Sequence, residues 1–173
     1  MIPSDVQVML DLETLAQSPN AVICSIGAVK FTLAEGITDT FYCTVDAKDC
    51  KKYGMVVEEQ TINWWKKQPR EVMAELLKDT IPLKDALVEF SKWFGTKSLP
   101  TWSCGASFDL PIIQWAYSAT DMRAPARHWD HRCYSTMKEL FKEVPLPEFV
   151  GDKHNALADA KHQTNHLIAI LKS

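Results

Sequence analysis

The chain is predicted to be an α/β protein built on one mixed sheet of five strands, and three observations carry that prediction. Three strand-like runs come first and are joined by short turns, as in an antiparallel meander. Helical patterns then alternate with two more short apolar runs, the way parallel strands are added to a sheet by crossovers. With 173 residues, 46% of them hydrophobic and 24% charged, the chain reads as a single domain over 1–173 with enough apolar material for a core.

Taken in order, Val6, Val8, Met9, Leu10 and Leu12 predict a buried first strand ending at Thr14. Gln17 to Asn20 is a turn. A second strand is expected over Val22 to Phe31, a turn at Ala34 to Gly36, and a third strand over Thr38 to Val45. Lys48 to Tyr53 is polar and reads as loop. Thr61 to Gln68 then predicts a short helix stopped by Pro69, which can itself open a helix through Val72, Met73, Leu76 and Leu77. Pro82 opens another, with core positions Leu83, Ala86, Leu87, Phe90 and Phe94 at helical spacing. Pro100 to Gly105 is a short buried strand, and a helix runs on from Asp109 through Ile112, Ile113, Trp115 and Ala116. A last strand near Trp129 to Tyr134 leads into a helix from Ser135 to Lys142. After a proline-stiffened loop, the final helix covers Ala156 to Leu171, with Leu157, Ala160, Thr164, Leu167 and Leu171 inward.

Composition removes several function classes. No apolar run approaches the ~20 residues that span a bilayer, and the N-terminus lacks the plan of a signal peptide. Five cysteines without a Cys-x-x-Cys pair argue for free thiols in a reducing cytosol, so a cytoplasmic protein is expected. A net charge of −3 excludes a general polyanion binder. Contact with nucleic acid would be focused on one end of a strand.

Chemistry gathers at the end of the first strand. Asp11 and Glu13 are two residues apart, so on an extended backbone they leave the same face. Two such carboxylates repel unless a cation sits between them, and a hard divalent ion is the usual answer. Asp109 lies where a strand gives way to a helix. In His154-Asn155-Ala156-Leu157-Ala158-Asp159, Asn155 can cap the last helix and Asp159 falls near the positive end of its dipole. Each of these residues also has an ordinary structural use: an acidic turn, a cap, a loop residue or a dipole-complementing acid.

As a set, Asp-x-Glu, a strand-to-helix Asp and His-x-x-x-x-Asp resemble the three motifs of the DEDDh exonucleases, in order and over nearly the whole chain. Leu10 to Thr14 matches the first motif and His154 to Ala160 the third. The segment Thr61-Ile62-Asn63-Trp64-Trp65 is similar to one in small bacterial and phage members. One departure is Gly105, where the second motif usually has Asn four residues before its Asp; Ala106-Ser107-Phe108-Asp109 fits. The resemblance implies a ribonuclease H-like sheet whose second strand is antiparallel to the others. It implies 3′–5′ hydrolysis of phosphodiesters in single-stranded RNA or DNA from the 3′ end, releasing nucleoside monophosphates. Asp11, Glu13 and Asp159 would hold one divalent ion, with Asp11 reaching a second and Asp109 supporting the site. An all-oxygen donor set selects Mg²⁺ or Mn²⁺, two ions roughly 4 Å apart serve both oxygens of the displacement, and His154 would be the general base.

Substrate contacts are expected from Trp64, Trp65 and Phe108, with Leu12 and Thr14 of the first motif counted beside them. Adjacent helical residues face about 100° apart, so at most one of the two tryptophans stacks on a base and the other is core. Lys66, Lys67 and Arg70, and Arg123, Arg127 and Arg132, can track phosphates, although a solvated face is the commoner use of such runs. A homodimer is expected because dimers are common among small relatives. Two alternatives stand beside the nuclease. Asp11-Leu12-Glu13-Thr14 is also similar to the opening motif of haloacid-dehalogenase-type phosphatases, but the acid that family needs after Gly-Asp is replaced by Ala156 and Leu157. A non-catalytic nucleic-acid-binding module would keep the fold and lose the acids, yet all four acids and the histidine are present.

Overall fold

The computed structural model describes residues 6–105 and 107–173; Ala106 of the second motif lies outside them. The sheet is built outward from β1 (Gln7–Thr14), its central strand. β2 (Ile23–Thr32) pairs antiparallel with β1 along its whole length, and β3 (Gly36–Thr44) pairs antiparallel with β2. On the other side, the three-residue strands β4 (Thr101–Ser103) and β5 (His131–Cys133) are added parallel to β1. The order is β3-β2-β1-β4-β5, and β2 alone opposes the rest, as the resemblance implies.

Alternation along β1 divides its side chains between two cores. Val8, Leu10 and Leu12 face a large cluster with Leu83, Leu87 and Phe90 of α4 (Leu83–Phe94) and Ile112 and Ala116 of α5 (Asp109–Ala119). Met9 faces the opposite way, into a smaller cluster with Val29, Phe31, Trp102, Tyr134, Ala160 and Leu167. Burying each such aliphatic side chain contributes about 1.5–3 kcal/mol, so a one-residue slip that exchanged the faces is strongly opposed. By the same period of two, Asp11 and Glu13 continue the face of Met9. They therefore point toward α7 (Ala156–Lys172), the long helix that covers that side.

Between β3 and β4 the chain forms short helices. Lys48 to Tyr53 is not loop: Ala47–Lys51 is a helix, α1, and the correction has a physical cause. Pro82, at the N-cap of α4, offers no side-chain acceptor, and buried Asp49 of α1 accepts the Leu83 N–H at 2.9 Å instead. α1 is capped locally by Asp46, which accepts the Lys48 N–H at 2.8 Å, and is tied to a partner 34 residues away, but its five residues are too few for a helical period to show. α2 (Glu59–Trp65) and α3 (Arg70–Leu76) flank Pro69 as expected, but Leu77, expected within the helix, lies beyond α3 and is 71% exposed. After α6 (Tyr134–Leu140), α7 buries Ala156, Ala160, Gln163, Thr164, His166, Leu167 and Ile170; Leu157 and Leu171 are only partly covered. Among the described residues no helix is long and apolar enough to cross a membrane.

Candidate active site

Asp11, Glu13 and Asp159 each bring a carboxylate oxygen into one group, all within 4.8 Å of one another. No lysine, arginine or histidine forms an ion pair with any of the three among the described residues. Burial, then the negative charges of Asp109, Glu13 and Asp159, holds the Asp11 carboxyl well above its ordinary range. Burial and the charges of Asp159 and Asp109 push Glu13 up to about 8. Asp159 is raised by burial and partly relieved by His154. Three crowded carboxylates that resist ionisation, offering oxygen alone, fit a hard divalent cation.

Asp109 stands beside this group and is tied to the strand. Because β4 ends at Ser103, Leu12 has no parallel neighbour to accept its N–H, and Asp109 Oδ1 takes that place at 3.0 Å. Buried to 2% exposure, its carboxyl is pushed up to about 7, burial outweighing the hydrogen bond from Leu12. Gly105, where the motif usually has Asn, has φ of 110°, a backbone region that side chains other than glycine's disfavour. With glycine there, no side chain reaches from this position toward Asp109.

The start of α7 is set by close packing on β2. A Cβ on Gly27 would lie 2.2 Å from the Ala156 carbonyl carbon, so only glycine lets the helix settle there. Gly27 pairs with Asp11 across the sheet, and this contact brings Asp159 to the acids of β1. Asn155 caps the helix, its Oδ1 accepting from the N–H groups of Leu157 and Ala158 at 3.1 and 3.0 Å. His154 precedes it with φ of 64°, unusual for a residue with a side chain. Its N–H donates to Asp159 Oδ2 at 3.1 Å, and its ring meets the edge of Trp64 at 4.9 Å between centroids. One turn beyond Asp159, Gln163 Nε2 donates to Asp11 Oδ1 at 2.8 Å, while its buried Oε1 has no partner.

Beside Glu13 opens a cavity of about 300 Å³ whose wall includes Leu12, Thr14, Trp64, Trp65 and Phe108. Trp65 is 2% exposed and donates from Nε1 to the Thr14 carbonyl at 2.8 Å, fastening α2 to the end of β1. Trp64 is 42% exposed and lines the cavity, its ring in edge contact with Trp65 and His154 at 4.9 Å each.

The family profile of the Rv2179c-like 3′–5′ exoribonuclease domain matches residues 6–171. The chain belongs to this family. Its fold is also that of solved DEDDh nucleases. The nuclease domain of 3′hExo, a DEDDh family member bound to rAMP, aligns with a TM-score of 0.68 at 14% identity, covering 98% of this chain and 92% of that one. Cell-death related nuclease 4 aligns at 0.65 and 12% identity, over 99% of this chain and 65% of that one. Exonuclease I of E. coli, in complex with a dA16 oligonucleotide, aligns at 0.61 and 14% identity; the chain spans 96% of itself but 40% of that protein. No curated protein sequence matches the chain. The chain is thus a 3′–5′ exonuclease domain by its family, with an acidic group that could hold a metal ion, and the phosphatase alternative is set aside.

Within this exoribonuclease domain, two residues that shape the site have no counterpart in the motifs. Gly27 carried a signal, a glycine inside an otherwise apolar strand, which marks close approach of another backbone. Gln163 carried none, since a glutamine one turn after an acid reads as a solvated helix face. His154, read as a loop residue just before the last helix, is braced there by Trp64 and by its own N–H.

Proposed function

We propose that this domain shortens single-stranded RNA from its 3′ end, releasing one nucleoside monophosphate per cycle. The observation that supports the reading best is the group of three uncompensated carboxylates within 4.8 Å, set against a cavity walled by aromatic rings. Asp11, Glu13 and Asp159 would hold divalent ions, Asp11 serving two, with Asp109 steadying the end of β1. Bound there, two Mg²⁺ or Mn²⁺ ions would offset the charge of an anionic phosphodiester under attack.

The chain's own residues do the rest. Trp64 stacks against the terminal base, Leu12, Thr14 and Phe108 wall the sugar and base, and Trp65 supports them from the core. His154 accepts the proton as water attacks phosphorus, and the 3′-oxygen of the penultimate nucleotide leaves. RNA is assigned on the family's description as an exoribonuclease domain. A second copy of the chain, expected from the resemblance, is checked by sedimentation.

The test uses a 5′-labelled RNA and a DNA of identical sequence, each with Mg²⁺, with Mn²⁺ and in chelator. A metal-dependent ladder of shortening RNA is expected, with silence in chelator. Immediate release of the 5′ nucleotide, cutting of a closed circle, or full activity in chelator would contradict the mechanism. Faster loss of the DNA would overturn the choice of RNA.

A further inference from the structure

The chain has four arginines, and three of them, Arg123, Arg127 and Arg132, fall within ten residues. Arg123 and Arg127 lie on the connection from α5 to β5, at the opposite end of α5 from Asp109, and Arg132 lies in β5 itself. Two cavities open there side by side, of about 620 and about 440 Å³, and Arg123 and Arg127 line both. Lys92 joins the wall of the smaller one, and Asp121, in the larger, is the single acid in either. Neither Arg123 nor Arg127 forms an ion pair among the described residues. On a chain of net charge −3, three cationic side chains to one acid make a local reversal of sign.

The same groove carries a large aromatic surface. Trp129 is 58% exposed, the Arg127 guanidinium lies 5.3 Å from its ring centroid, and the His128 ring meets it at 4.6 Å. Arg132 donates to the Trp129 carbonyl at 2.9 Å and so fixes the backbone beneath the ring. Cations spaced along a groove, with an indole face beside them, are what a single strand uses: phosphates meet the arginines and a base stacks on the ring.

We infer that this groove is a second contact for the substrate strand, holding nucleotides upstream of the 3′ end that sits among the acids. The inference rests on the nuclease reading. α5 spans eleven residues, about 16 Å at 1.5 Å per residue, between Asp109 and the groove. Stacked at about 3.4 Å per nucleotide, a trinucleotide bound at the acids covers about 10 Å and ends short of it, whereas a dodecamer covers about 40 Å and reaches both. The groove therefore lets the domain grip long strands without adding anything to the chemistry at their ends.

The test compares wild type with the double variant Arg123→Glu, Arg127→Glu, and with Trp129→Ala. Binding of a labelled single-stranded dodecamer is measured by anisotropy in chelator, and trinucleotide hydrolysis is measured with metal. The double variant should bind the dodecamer at least about tenfold more weakly, with a salt dependence reduced by about one per lost phosphate contact. Trp129→Ala should weaken it about fivefold or more, the low end for one lost base stack. Trinucleotide turnover and KM should equal wild type in both, which also reports that the site is folded. Equal dodecamer binding by wild type and double variant would overturn the inference and leave the groove to another partner, such as an acidic protein segment. Equal losses on trinucleotide and dodecamer would overturn it too. A wild type that cleaves no trinucleotide would count against the nuclease reading, while the anisotropy comparison still decides the groove.

Discussion

Asp11 and Glu13 sit on a strand paired with β2 along its whole length, whereas His154 sits on a loop with φ of 64°. The acids are fixed by backbone: β2 on one side, the Asp109 carboxylate on the other, and α7 pressed onto Gly27. His154 is fixed by one N–H to Asp159 and by the edge of a half-exposed tryptophan. The difference matches what the two kinds of group must do. On the proposed roles, ligands crowded against their own repulsion need a rigid frame before any ion arrives, whereas a proton acceptor needs only to stand within hydrogen-bond reach of the attacking water. Backbone contacts are concentrated where like charges meet, and lighter bracing is left to the residue proposed to take the proton.

The strongest way to break this contrast is at the frame's centre. Asp11→Ala should lower turnover by about 10⁴-fold or more, as loss of one member of a catalytic set does. The fold should survive, and the metal-free protein should melt higher because a like-charge cluster is relieved. Calorimetry beside a turnover assay checks both halves. Gly27→Ala attacks the same frame without touching an acid. A Cβ 2.2 Å from the Ala156 carbonyl carbon must push α7 away, so turnover should fall about 10²-fold, the cost of a misplacement near 1 Å. Stability should drop by about 1–3 kcal/mol from overpacking.

Trp64→Ala tests the looser side. Losing a base stack and the brace on His154 should raise KM by an amount equivalent to about 1–3 kcal/mol, roughly fivefold to 150-fold, while metal affinity stays at the wild-type value.

The smallest effect is on stability against pH. Glu13 lies at about 8 in the fold against an ordinary 4.5, and Asp109 at about 7 against 3.8. Both are raised, so between these limits the folded protein holds protons that the unfolded chain has released. Stability from these groups is therefore full below the ordinary values and is lost as pH rises through the folded ones. The metal-free protein should melt lower at about pH 8 than at about pH 5, and Asp11→Asn should flatten the slope. Mg²⁺ should restore the midpoint most at the higher pH, since it binds the ionised carboxylates. A metal-free midpoint that climbs with pH would contradict the crowding of the acids.

Much of this was legible in the order of residues because each cue was local. β1, α4 and α7 announce themselves through apolar runs and helical spacing, and Asn155 is read directly as a cap. Asp11 and Glu13 share a face by the period of a strand alone. What escaped was α1, whose five residues are too few for a helical period to show despite the Asp46 cap, and Gln163, which matters only because Asp11 lies opposite it, 152 residues away. Gly27 lay between these cases, visible as an oddity in a strand but meaningful only once α7 was packed against it.

The most direct test of the division between frame and proton acceptor is a single variant measured in two ways. Turnover and Mn²⁺ affinity should be determined on one preparation of His154→Ala. Turnover is expected to fall about 10²–10⁴-fold, the usual contribution of a general base, with Mn²⁺ binding as in wild type. Turnover within a few-fold of wild type, or a matching loss of Mn²⁺ affinity, would contradict it.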